Sequence, residues 1–295
     1  MSTLKSVARV TLRESRRWRG RAALRRVEVA GPTAAAVVRA LHRALARRPS
    51  AEEQEWISRI EQVRTQLSAS QEVVVFSDFG AGTAREAAAA ESAGRASTVQ
   101  PVAATTTRTL GQMTRSSKPP RWAYLLFCLV RELQPERGLE MGACVGISAS
   151  YQSAAMSLNG RGRLLSLEGA ETLAERSRGT LRGLGLAEIA EVRLGAFSET
   201  LTSSLDELAP VGWAFIDGHH DGPATLAYTE QILQAAGPEA VLVFDDINWS
   251  PGMRTAWQSV VADERFAVTI DLRSVGLAVV SAHPERTRRL VVPYY

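Results

Sequence analysis

The sequence predicts an α/β fold: a mostly parallel sheet of seven strands with helices on both faces, ending in an antiparallel hairpin and preceded by a basic helical extension. Three observations support that expectation. After Pro119-Pro120, short apolar runs alternate with amphipathic stretches, the pattern of parallel strands joined by crossover helices. The last two strand-like runs are separated by three residues, far short of a parallel crossover, so they must pair antiparallel. Residues 1–50 hold 13 Lys/Arg against only Glu14 and Glu28, while the remainder has 22 basic and 29 acidic residues, so a basic segment precedes an acidic one.

Taken in order, residues 1–70 read as a basic helical arm. Arg13, Arg16, Arg17 and Arg19 lie in its first part, and a helical stretch from Pro32 to Arg48 places Val37, Val38, Leu41 and Leu45 on one side. Such an arm suits solvent, subunit packing in a homodimer, or a polyanion or acidic partner. Residues 1–48, lying outside the α/β alternation, are expected to be dispensable for ligand binding. From Ser50 the residues Trp56, Ile60, Val63 and Leu67 mark an amphipathic helix, with Ser50 as N-cap and Glu53 completing a capping box. Residues 71–118 read as a linker or lid that begins with a short strand, Glu72 to Phe76. The run Asp78 to Thr83 reads as a turn, because no third glycine or Gly-Lys-Ser/Thr completes a phosphate cradle.

The main domain is expected over residues 119–283. Its helices read as Trp122 to Leu133, Ile147 to Leu158, Glu171 to Leu184, Ser198 to Leu208, Thr225 to Ala235 and Met253 to Asp263. Its strands read as Gly138 to Met141, Arg163 to Leu167, Ala190 to Leu194, Trp213 to Ile216, Ala240 to Phe244, Phe266 to Leu272 and Gly276 to Ser281. Residues 284–295 form a tail. The longest apolar run, Trp122 to Val130, is nine residues, half of what a membrane span needs. Two cysteines, Cys128 and Cys144, are too few for a disulfide framework and point to the cytoplasm. Only Lys5 and Lys118 are lysines among 35 basic residues, a bias that, with abundant Ala, indicates a GC-rich bacterial genome.

Two regions carry chemistry. Glu140-Met141-Gly142 runs through Cys144 to Gly146 between a strand and a helix, and glycines there let the backbone approach a ligand closely. The spacing is not the dinucleotide fingerprint. Glu140 suits a ligand amine and Glu168, ending the next strand, can accept two hydrogen bonds from ribose hydroxyls. The alternative is that both glycines serve helix packing and Glu168 is a solvated acid. At the other region Asp217 ends one strand and Asp245-Asp246 the next, so three carboxylates converge. A dication would resolve their repulsion, Mg²⁺ by preference with Mn²⁺ or Ca²⁺ possible, and pairing with an Arg is the alternative. His220 is a general-base candidate, with ligation or loop capping as the other roles. Trp249 and His219 could border an acceptor, Met253 and Trp257 read as core, and nothing nearby activates Cys144 as a nucleophile.

These residues resemble the class I S-adenosylmethionine (SAM) dependent methyltransferases, whose Rossmann-like sheet of seven strands ends in such a hairpin. The resemblance covers about residues 119–283, more weakly 72–118, and is nearest to bacterial O-methyltransferases related to the catechol O-methyltransferases, through Glu140-Met141-Gly142 to Gly146, Phe215-Ile216-Asp217-Gly218 and Phe244-Asp245-Asp246-Ile247 with Trp249-Ser250. It implies that Glu140, Gly142, Gly146 and Ser148 meet the methionine part of SAM, that Glu168 and Gly169 meet the ribose, and that Ala196 and Phe197 border the adenine. It also implies that Asp217 adjoins the cofactor, and the spacing of Asp217 and Asp245 resembles the metal-dependent branch. The catechol enzymes place Asn where this chain has Asp246, and their catalytic Lys where it has His220. The expected function is therefore O-methylation of a small molecule or peptide-like acceptor, metal-assisted. A metal-free enzyme acting on a carboxylate or amine, or a SAM- or polyanion-binding accessory protein, is the alternative.

Overall fold

Alternation within the strands lets one sheet hold two cores. In β6 (Val211–Ile216) the side chains of Trp213 and Phe215 join one buried cluster while Ala214 and Ile216 join another, and β7 (Ala236–Phe244) repeats this with Val241 and Val243 against Leu242 and Phe244. The computed structural model describes residues 19–24, 31–78, 104–280 and 288–294. On the first face lie α4 (Pro120–Leu133), α5 (Ile147–Asn159) and α6 (Glu171–Leu184), with α1 (Pro32–Ala46) and α2 (Ala51–Ala69) packed over them. On the second lie α7 (Phe197–Leu208), α8 (Gly222–Ala235) and α9 (Pro251–Ala262).

The remaining strands of the sheet are β3 (Arg137–Met141), β4 (Arg163–Glu168), β5 (Ala190–Leu194), β8 (Phe266–Asp271), β9 (Gly276–Val280) and β10 (Arg288–Val291), in the order β10-β8-β9-β7-β6-β3-β4-β5. β3 pairs in parallel with both β4 and β6, and β9 runs antiparallel between β7 and β8, so the expected hairpin is present. From β3 the chain winds outward to β4 and β5, and from β6 it winds the opposite way to β7. That reversal opens a crevice at the carboxyl ends of β3 and β6, the place where open α/β sheets bind ligands.

Three expectations need correction. Pro32 to Arg48 is no solvated arm, because Val37, Leu41 and Leu45 of α1 have no exposed surface and pack against α4. The reason lies in α4, whose residues Trp122 through Val130 are all buried; a helix apolar on every side needs a cover beyond the sheet. Arg39 and Arg43 of α1 are engaged with Glu132, and Arg43 also with Glu53, so part of the basic charge is neutralised within the molecule. The expected linker contains β1 (Val73–Asp78), paired antiparallel with β2 (Ala104–Thr109), and then α3 (Leu110–Ser116) with a Thr109/Gln112 capping box. Residues 79–103, which hold most of the expected turn, lie outside the described residues, as do residues 1–18. The expected tail supplies an eighth strand: β10 pairs in parallel with β8 and covers that edge, and the Tyr294 ring, 1% exposed, lies 4.7 Å from Trp122.

The capping box on α2 is as expected, with Ser50 Oγ accepting from the Glu53 N–H and Glu53 from the Ser50 N–H. Among the described residues no helix is long and apolar enough to cross a membrane.

Candidate active site

The crevice is a cavity of about 560 Å³. Its walls come from the loops after β3, β4, β5, β6 and β7, together with the β1–β2 ribbon, which contributes Phe76 and Arg108, and the segment from α3 to α4, which contributes Ser117 and Lys118. Seven non-glycine residues among those described have positive φ, and four of them, Cys144, His219, His220 and Asp246, line this one cavity. Backbone strain of that kind persists where tertiary packing imposes it and concentrates at functional sites.

At the β3–β4 end, Gly142, Ser148, Glu168, Gly169, Ala196 and Phe197 all line the cavity. Glu168 accepts hydrogen bonds from the N–H groups of Cys144 (2.8 Å) and Ala170 (3.0 Å), which fixes its carboxylate between two loops. A carboxylate has about four lone-pair sites, so these two bonds do not by themselves exhaust it. Both glycines also make close backbone contacts within the protein. Gly142 has φ 103° and a Cβ there would lie 2.3 Å from the Asp217 carbonyl oxygen; the missing side chain lets the β3 and β6 loops touch. Gly146, at φ 84°, packs against Ser177 of α6 and does not line the cavity, so it serves helix packing. Cys144 lines the cavity, and burial pushes its thiol up to about 12.

Glu140 is the clearest departure. Strand alternation turns it away from Leu139 and Met141 and under α5, where it is fully buried and absent from the cavity wall. Gln152 Nε2 donates to it at 2.7 Å and Ser166 Oγ donates to its other oxygen, while Trp213 Nε1 donates to Gln152 Oε1 at 2.7 Å. This network satisfies the carboxyl from within the protein. Burial pushes it up from 4.5 to about 7, against the hydrogen bonds of Ser166, Ser148 and Gln152. Above 4.5 the unfolded chain loses a proton that the folded protein keeps up to about 7. The group's contribution to stability is therefore complete below the unfolded value and is lost as pH rises through the folded one, amounting to about 3 kcal/mol. Glu140→Gln is expected to remove this dependence, so that melting curves show wild type losing ground to the variant from pH 4.5 to 8. A constant difference across that range would exclude the linkage.

At the β6–β7 end, Asp217, His220 and Asp245 place one ligand atom each within 4.8 Å of one another. Asp246 lines the cavity but lies outside this group, so the expected trio of aspartates is corrected to two aspartates and a histidine. Asp246 follows the strand end at φ 48°, in the left-handed region, and its charge acts to raise the Asp217 carboxyl. The residue that sequence reasoning missed is Lys118. Its Nζ ion-pairs with Asp245, which is 2% exposed, and lies 3.6 Å from Asp217 Oδ1. Burial raises the Asp217 carboxyl above its usual range, while Lys118 and His220 hold it down. The acid cluster is thus paired with a cation, a lysine rather than the arginine considered from sequence. The one available signal was composition: Lys118 stands in a chain that otherwise uses arginine almost exclusively.

His220 lines the cavity with Nε2 3.8 Å from Asp217 Oδ1 and its ring 6.0 Å from that of Trp249, which is 45% exposed. His219 also lines the cavity, but its Nδ1 is 2.9 Å from the Tyr228 hydroxyl and burial lowers its pKa. Met253 and Trp257 are buried, as core residues should be.

Residues 139–247 match the family model described as a methyltransferase domain, a stretch that runs from β3 past Asp246. Among solved structures the chain is similar to cofactor-bound Rv0187 from MTB, at 21% identity and TM-score 0.50 over 69% of this chain and 91% of that one. It is also similar to the SAH-bound methyltransferase PaMTH1 of Podospora anserina, at 15% identity and TM-score 0.50 over 57% and 81%. A third is the O-methyltransferase from Bacillus cereus in complex with SAH, at 21% identity and TM-score 0.49 over 68% and 91%. The first two share the fold. No curated protein matches the chain.

Proposed function

We propose that the methyltransferase domain this chain carries uses SAM and methylates a hydroxyl oxygen of a small-molecule or peptide-like acceptor. The observation that supports it is one cavity at the switch point of the sheet, with a fixed carboxylate, Glu168, at one end and His220 beside Trp249 at the other. SAM supplies an electrophilic methyl group when bound. Glu168 would accept from the ribose hydroxyls and the loop after β3 would lie along the methionine part. Ala196 and Phe197 would border the adenine. Two of the similar solved structures are SAH-bound and cofactor-bound, in agreement with this assignment.

A neutral hydroxyl is a poor nucleophile toward a sulfonium, so its proton must leave before or during transfer. His220 is the base of this proposal, and the imidazolium it forms would have its Nε2 3.8 Å from Asp217 Oδ1, a carboxylate that favours the charged ring. A carboxylate acceptor would need no such base, which favours the hydroxyl. A dication does not fit beside Lys118 as the structure stands: the ammonium already lies against both aspartates and would repel a metal held by the same oxygens. The proton transfer is therefore assigned to His220 alone. A metal-assisted reaction is the second reading, favoured by the convergence of Asp217, His220 and Asp245.

Calorimetry with SAM and with S-adenosylhomocysteine tests the proposal. Wild type is expected to bind both, and Glu168→Ala to bind SAM about 10²-fold more weakly, from the loss of two hydrogen bonds to a charged acceptor at about 1.5 kcal/mol each. No binding by wild type would remove the basis of the proposal.

A further inference from the structure

Lys118 reaches the two aspartates from outside the strand–loop framework that positions the rest of the site. It stands between α3 and α4 in the segment Ser117-Lys118-Pro119, where Ser117 is extended at φ −63°, ψ 154° and Pro119 at φ −55°, ψ 150°. A residue preceding proline is itself restricted to extended conformations, so the lysine is delivered by a short, stiff strap anchored at both ends by helices. The Lys118 side chain is 11% exposed and Asp245 is 2% exposed. Two carboxylates this close and this shielded require a positive charge between them. The Lys118 ammonium supplies that charge in a chain whose other basic residues are almost all arginine.

We infer that the Lys118 ammonium is the resident cation of the Asp217–Asp245 pair, standing where these carboxylates would otherwise hold a divalent metal, so that the protein binds a dication at this place only once Lys118 is removed. An ammonium has no lone pair and cannot ligate; while it is present it takes up the carboxylate oxygens and repels a second cation. With Lys118 gone, Asp217, Asp245 and His220 remain as two oxygen donors and one nitrogen donor within 4.8 Å of one another, a set suited to Mn²⁺. The inference rests on the proposed function only for the identity of the pocket, and metal binding can be read without SAM or acceptor.

Full-length wild type, Lys118→Met, Lys118→Ala, Lys118→Arg and the double variant Lys118→Met/Asp245→Asn would be titrated with Mn²⁺, following the free ion by electron paramagnetic resonance. Thermal melts and SAM calorimetry would be run on the same samples. Wild type and Lys118→Arg are expected to show no saturable uptake. Lys118→Met or Lys118→Ala should take up one equivalent at least about 10-fold more tightly than wild type, and Asp245→Asn should abolish the gain. Mg²⁺ should compete. One tightly bound equivalent in wild type, or no gain in either neutral variant, overturns the inference. If the Mn²⁺ pattern holds while SAM fails to bind, the functional proposal falls and the role of Lys118 stands.

Discussion

Deleting residues 1–48 is expected to abolish the folded state rather than trim a dispensable arm. The deletion removes α1, whose Val37, Leu41 and Leu45 have no exposed surface, and strips the cover from α4. Each such side chain contributes about 1.5–3 kcal/mol by burial, so three of them approach the whole stability of a typical domain, about 5–15 kcal/mol. Ion pairs from Arg43 to Glu53 and Glu132 are lost as well, leaving the 3%-exposed Glu53 carboxylate to Arg131. The truncated chain should aggregate, or melt more than about 10 °C below the full chain. The point variant Leu41→Ala, which leaves the chain length unchanged, should lose about 2–5 kcal/mol in denaturant titration. Full-chain stability in the truncation would show that α1 is peripheral after all.

Replacing His220 by Ala is expected to lower kcat by about 10² to 10⁴-fold while leaving SAM affinity intact. The expectation follows from position: His220 lines the cavity beside Trp249 and faces Asp217, whereas the assigned cofactor contacts come from the loops after β3, β4 and β5. An acceptor must first be found, by offering methyl-labelled SAM to cell extract and following the label by mass spectrometry. Steady-state rates then separate the roles. A rise in KM with kcat unchanged would make His220 a wall of the acceptor pocket and remove it as a base.

Much of this was legible along the chain. Strand and helix alternation, the three-residue gap of the hairpin and the capping box at Ser50 are local signals, each imposed by backbone geometry within a few residues. Strand ends are equally local, so Glu168 and Asp217 could be placed on the carboxyl edge, and the cavity lies there. Glu140 shows where that reasoning stops. It ends the same strand as Met141, but the side chain's face, set by alternation against the α5 layer, sends it into a buried network with Gln152 and Ser166. Gly142 and Gly146 were marked as special, and both have positive φ; what they approach, the Asp217 carbonyl and Ser177, belongs to other segments.

Periodicity, turn length and strand termini are properties of neighbouring residues, so the sheet, its two faces, its terminal hairpin and the loops of the ligand edge can be read along the chain. Folding in three dimensions set the contacts made at long range in the chain. It drew α1 over α4, since an all-apolar helix must be covered by whatever amphipathic surface is within reach, and it added residues 288–291 to an open edge at β8. Above all it carried Lys118, from a segment without any motif, to the two aspartates, because shielded carboxylates need a counter-charge and nothing in their own stretch of sequence supplies one.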